Sequence, residues 1–222
     1  NYNTVSITDP MERVYTYTYD WDNRLIKETN PLNEETSYVY DAASRLSASP
    51  DRMGRTQHFA YDKNGNLTGH TDAIGQTTSY AYDAKNRLTA VTDAQGSTAL
   101  YTYDVMDNLT DITDYMGRGI HYTYDAEGRL IGVTDENNRT EKLSYDIAGR
   151  LTSYTFNSGK KITYDYDKLD NLIEKSYADA QGNKNAESVT YTYNAIGERT
   201  GMNDESGKSV YTYDELGRLT QV

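Results

Sequence analysis

A Tyr-Asp pair returns every 21 residues along this chain, at Tyr19, Tyr40, Tyr61, Tyr82, Tyr103, Tyr124, Tyr145 and Tyr166. Looser copies follow at Tyr193, where Asn194 replaces the Asp, and at Tyr213, so the array runs to ten copies. Eight copies in strict register are no compositional accident. A fixed period of this length marks a fold made by stacking one supersecondary unit on the next. The stretch 122–138, YTYDAEGRLIGVTDENN, shows that unit: alternation, a turn, alternation again, a second turn.

The position four after each Tyr is Asn23, Ser44, Gly65, Asn86, Asp107, Gly128, Gly149, Asp170, Gly197 or Gly217. Nearly all of these residue types tolerate φ > 0. With Asp three residues earlier, the pattern predicts a type I turn closed by a left-handed residue, the Asp side chain supplying the acceptor. A second turn recurs ten residues later, at Asp9, Asn30, Asp51, Asp72, Asp93, Asp114, Asp135 and Asp204. Pro10 and Pro31 stand there at the first central position, where a fixed φ near −65° fits. Each repeat is then one up strand and one down strand of ordinary length.

Leu25, Leu46, Leu67, Leu88, Leu109, Leu130, Leu151, Leu172 and Leu219 stand six residues after their Tyr. Counting outward from the turn places Tyr124 opposite Leu130, Tyr19 opposite Leu25 and Tyr82 opposite Leu88. The same count places Tyr122 opposite Gly132, Tyr80 opposite Ala90 and His58 opposite His70. One face would carry Tyr, Leu and small residues, the other mainly Thr, Ser and Ala. Tyr and Leu ladders would then supply the stability. Tyr is expected in place of Phe because part of so wide a face stays wet. Arg24, Arg45, Arg87, Arg129, Arg150 and Arg218 fall opposite the turn Asp and are read as turn fasteners, each worth under about 1 kcal/mol.

The composition agrees, with 23 Tyr and 16 Gly against 2 Phe and 1 Trp. No composition shift divides the chain, so residues 1–222 read as a single array with one irregularity around 176–188. There the Tyr spacing grows from 21 to 27, and a lengthened hairpin turning at Asp179–Gly182 is expected. Twisted open sheets rarely exceed about ten strands without curling. An all-β, antiparallel hairpin array of twice that width should coil into a spiral wall. The absence of Cys excludes a disulfide framework or thiolate metal site. A net charge of −12 argues against nucleic acid as a partner. No apolar run approaches the roughly 18 residues of a membrane span. The chain opens at Asn1 in mid-pattern and so reads as a piece of a larger protein.

The phrases YDAEGRL, YDKNGNL, YDIAGRL and YDELGRL closely resemble the YD repeat of bacterial Rhs and wall-associated proteins, toxin-complex shells and teneurins. The resemblance runs from Asp9 to Val222. It implies a hollow β-shell holding a C-terminal toxin or other domain, in a secreted or cell-surface protein. The lack of Cys favours a bacterial member. The partners so implied are further repeats and toxin-like cargo of the same parent. The family's self-cleaving aspartate segment is not found in this sequence.

Other sites carry bland readings. His121 lies about six strands, or ~29 Å, from His58, so no three-histidine metal site can form. The Asp columns have turns to close, whereas calcium needs six to eight convergent oxygens. Their exposure should keep their pKa values ordinary. No nucleophile–base arrangement or phosphate loop stands out, so neither catalysis nor a cofactor is expected. The expected function is a non-enzymatic wall segment that encloses or carries a toxin or effector domain. The alternative is an adhesion scaffold presenting aromatic ladders to glycans. Unpaired sheet edges would in either case favour self-association.

Overall fold

The computed structural model describes residues 3–50, 53–184 and 188–222. Among these no helix forms; the chain is a succession of antiparallel hairpins. It packs as two compact units, Asn1–Tyr101 with Thr113–Gly117, and Thr102–Ile112 with Arg118–Val222. In the first unit, Ser6–Thr8, Val14–Tyr19, Leu25–Thr29 and Glu35–Ser37 pair in chain order. From Val39–Tyr40 to Leu88–Thr92 each strand again pairs with the next. The break between these sheets is one residue wide, and there the Tyr38 N–H donates to the Ile26 carbonyl at 2.9 Å. In the second unit the same meander runs from Gly119–Tyr124 to Gly207–Val210.

The turns follow from local chemistry. At Asp41, Oδ1 accepts the N–H groups of Ala43 at 2.9 Å and Arg45 at 3.0 Å, while Oδ2 takes the Arg45 Nε at 2.8 Å. The Ser44 N–H then donates to the Asp41 carbonyl at 3.0 Å. Ser44 sits at φ 65°, and Gly65, Gly128, Gly149 and Gly217 sit at 94°, 79°, 86° and 72°. Positive φ extends to Asn23, Asn86, Asp107, Asp170 and Gly197, where four of five residues are not glycine. The second turns use the same device at Asp9, Asn30, Asp72, Asp93, Asp114 and Asp135. Asp51 lies outside the described residues. Asp204 departs from the pattern, pairing directly with Gly207 across a two-residue loop. A further second turn, Phe156–Gly159, lacks an acidic first residue and is closed by backbone bonds and a long one from the Lys160 N–H to Ser158 Oγ, with Gly159 at φ 84°.

The register differs from a straight count. Tyr124 pairs with Leu130, Tyr19 with Leu25 and Tyr82 with Leu88, but one step outward Thr123 pairs with Gly132 and Tyr122 with Val133. Ile131 is an extra residue, a β-bulge, and Thr89 repeats it, so Tyr80 faces Val91 rather than Ala90. A one-residue slip exchanges the faces of every residue beyond it. The Tyr face thus gains Val133, Val91, His70 and Tyr154, while the small residues turn to the Thr face. His58 accordingly pairs with Thr71, and His70 with Phe59, on which its ring stacks at 5.0 Å. The two histidines are not opposite each other.

Small residues are the closely packed ones on both faces. Ala48, Ser153, Ser176, Gly132 and Gly201 are buried on the Thr face, and Ser49 and Ala99 on the Tyr face. A Cβ on Gly132 would come within 2.4 Å of Thr123 Oγ1, and on Gly201 within 2.6 Å of Thr192 Oγ1. Among the described residues no large side chain is fully buried. Contacts between successive strands therefore replace a central core, as in other repeat arrays.

Candidate functional site: the seam between repeats

The bulge after each Leu interrupts the ladder, and a tyrosine from the next repeat meets the carbonyl there. Tyr40, Tyr61, Tyr124, Tyr145, Tyr166 and Tyr193 donate their hydroxyls to the carbonyls of Leu25, Leu46, Leu109, Leu130, Leu151 and Leu172, at 2.8–3.0 Å. At the ends of the array Tyr19 reaches the Thr4 carbonyl and Tyr213 that of Arg199, which stands where other repeats have Leu. At these positions Tyr, unlike Phe, satisfies a specific backbone acceptor. Burial raises the pKa of the half-buried Tyr124, Tyr166 and Tyr193 phenols, so these groups stay protonated donors.

The arginines do more than fasten their own turns. Arg150 pairs with Asp146 at 2.7 Å, and its Nη1 reaches the next repeat's Asp167 carbonyl at 3.2 Å and Asp170 carboxylate at 2.6 Å. Its guanidinium lies 4.8 Å from the centroid of Tyr166, the tyrosine of that repeat. Arg24 over Tyr40, Arg45 over Tyr61 and Arg129 over Tyr145 repeat the geometry at 5.0, 4.7 and 4.9 Å. Each ring is thus held by its hydroxyl and covered on its face by the preceding repeat. A planar five-donor cation suits this triple duty, which an ammonium does not. Where Asn66 replaces Arg, it bonds Asp62 at 2.9 Å and the next repeat's Asn86 at 2.8 Å, keeping the link without the charge.

This geometry corrects the expectation of ordinary turn acidities. The Arg45 side chain, followed by its backbone N–H, holds the Asp41 carboxyl below its usual value. Arg24 does the same to Asp20, and the Arg150 backbone N–H leads the effect at Asp146. Ionised acceptors with two backbone donors and a guanidinium resist protonation.

Elsewhere, Asp111 accepts bonds from Thr102 at 2.6 Å and His121 at 2.6 Å. The carboxylate sits between hydroxyl and imidazole, the wrong order for a nucleophile–base relay. Among the described residues no group of three or more His, Cys, Asp or Glu could hold a metal ion. The irregular hairpin turns at Asp179–Gly182, where the Asp179 N–H donates to the Asn183 carbonyl at 3.0 Å. A cleft of about 480 Å³ beside it is lined by Thr155, Lys161, Thr163, Ser176 and Lys184 among others. Residues 185–187 lie outside the described residues.

With this geometry in view, the family model described as RHS Repeat matches residues 61–98, 82–114, 103–140, 124–156, 145–184 and 193–222. The chain belongs to the RHS repeat family. Within the matched RHS repeats, Tyr145 and Tyr166 show the full seam of Tyr hydroxyl, Leu carbonyl and Arg. No curated protein matches the sequence. Crystal structures of TcdB2-TccC3-TEV and of TcdB2-TccC3 without its hypervariable C-terminal region resemble it over 93% of this chain, each at 17% identity and a TM-score of 0.63. The RHS array spans 13% and 12% of those chains. At that identity the likeness shows the fold alone. Among the described residues no helix is long and apolar enough to cross a membrane.

Proposed function

We propose that this chain is a stretch of wall in an Rhs-type hollow β-shell, enclosing or carrying a toxin or effector domain of its parent protein. The supporting observation is the seam: eight of the ten repeat tyrosines donate their hydroxyl to a backbone carbonyl of the preceding segment, so the array is built to extend continuously rather than to present a pocket. The similar TcdB2-TccC3 protein has a hypervariable C-terminal region, which fits a constant wall beside a variable passenger. The wall itself is non-enzymatic in this reading, needs no cofactor, and belongs to a bacterial protein acting outside the cell or at its surface. A glycan-presenting scaffold is less well supported. Sugar stacking needs open ring faces, whereas Tyr40, Tyr61, Tyr145 and Tyr166 lie under arginines and have their hydroxyls engaged.

The test uses the natural full-length parent, purified without denaturant. Intact mass and limited proteolysis should reveal a downstream polypeptide retained and protected. A parent that retains nothing, while its repeats bind glycans or surfaces, would overturn the proposal.

A further inference from the structure

The turn tips carry an uneven distribution of apolar residues. In the first unit the third residue of the second turns is Met11, Leu32, Met53, Ile74 and Met116, exposed by 64–80%. Gln95 alone interrupts that row, and beyond it the same position becomes Asn137, Ser158, Gln181 and Ser206. In the second unit the apolar tips move to the opposite rim, to the turns that follow each Tyr. There Ile147, Leu169, Ile196 and Leu216 are at least 67% exposed. The matching first-unit positions are polar or small except Trp21. The turn geometry needs none of these side chains, because Asp, backbone and a left-handed residue close each turn.

We propose that the two rows are the halves of one interface between copies of this chain. The second-turn rim of one copy's first unit seats on the opposite rim of another copy's second unit. Apart from the gap at Gln95, both rows advance one tip per repeat, or about 9.6 Å for two strands, so their tips can interdigitate over several repeats. A partner without this repeat would lack the pitch. Taking roughly 100 Å² for each fully exposed aliphatic side chain, the first row offers on the order of 400 Å². Spread over separate tips, that area falls short of the ~800 Å² per partner of a stable complex. The contact is therefore weak and concentration-dependent. It is also heterologous, since two different rows meet. The inference goes beyond the wall reading and does not depend on any passenger.

Sedimentation velocity on the 222-residue chain tests it with two triple variants. One carries Leu32→Glu, Ile74→Glu and Met116→Glu; the other carries Ile147→Glu, Ile196→Glu and Leu216→Glu. All six sites are exposed turn tips, and circular dichroism checks that each variant folds. The wild-type chain should grow in mass with concentration, to at least about twofold, while each variant alone stays monomeric. Mixing the variants pairs the one intact row of each and should give a dimer that grows no further. A wild-type chain that stays monomeric at millimolar concentration overturns the proposal. So do variants that associate as well as wild type, since strand-edge pairing would then be responsible, and monomeric variants whose mixture forms no dimer.

Discussion

Replacing Tyr145 with Phe removes one oxygen and isolates the seam. The hydroxyl donates to the Leu130 carbonyl at 3.0 Å, at the bulge where the ladder is broken. The ring, its packing and its arginine at 4.9 Å remain. The loss is one part-buried hydrogen bond and its now unsatisfied acceptor, about 1 kcal/mol. Tyr124 and Tyr166 make the same bond in the flanking seams at 2.8 and 2.9 Å. The triple Tyr→Phe variant should therefore lose about 3 kcal/mol if the seams act independently. For a chain of this size that is a fall in Tm of roughly 6–12 °C. Tyr122→Phe is the control: this ring lies on the same face, its hydroxyl makes no hydrogen bond among the described residues, and the change should stay within about 0.5 kcal/mol. Thermal and urea unfolding followed by circular dichroism measure both. Equal losses from Tyr122→Phe and Tyr145→Phe, or none from the triple variant, would refute the claim that the hydroxyl selects tyrosine.

Other outcomes follow from the same geometry. Gly132→Ala should cost about 1 kcal/mol by crowding Thr123, whereas Gly69→Ala, whose Cβ would meet Ala60 at an ordinary 3.6 Å, should not destabilise; adding Thr123→Ala should remove the difference in urea midpoint. Arg150→Lys should lower the unfolding midpoint more than Arg218→Lys, because Arg150 also holds the next repeat whereas the Arg218 side chain is 74% exposed. The folded-state pKa values of Asp20, Asp41 and Asp146 lie below their unfolded ones. The unfolded chain then binds more protons between the two values, so their stabilisation is complete above about pH 4 and is lost as pH falls through the depressed folded values. Urea midpoints measured from pH 7 down to pH 2 should be flat at first and fall below about pH 4; a midpoint that rises on acidification would contradict the sign.

The turns were legible in the sequence because their causes are local. An Asp side chain bonds backbone two and four residues on, and the residue between must accept φ > 0, as Asn23 and Ser44 do at 62° and 65°. The pairing of Tyr124 with Leu130 follows by counting from such a turn. Phe156–Gly159 has no acidic residue to mark it, although Gly159 stands 21 residues past Asn138.

What lies past the Leu depended on tertiary structure. Ile131 and Thr89 suit a regular strand as well as a bulge, so propensity does not choose between them. The choice depends on cross-strand packing that places Gly132 against Thr123 and Val133 against Tyr122, together with a carbonyl met by a tyrosine 15 residues on. The second arm of Arg150 is equally non-local, since its partners Asp167 and Asp170 are reached only once the strands lie side by side. Sequence by itself determined the period, the turns and the all-β class, each set within a few residues of backbone. Tertiary structure alone decided which face each side chain takes and which repeat it holds, because a one-residue bulge reverses the faces and only neighbouring strands fix where it falls.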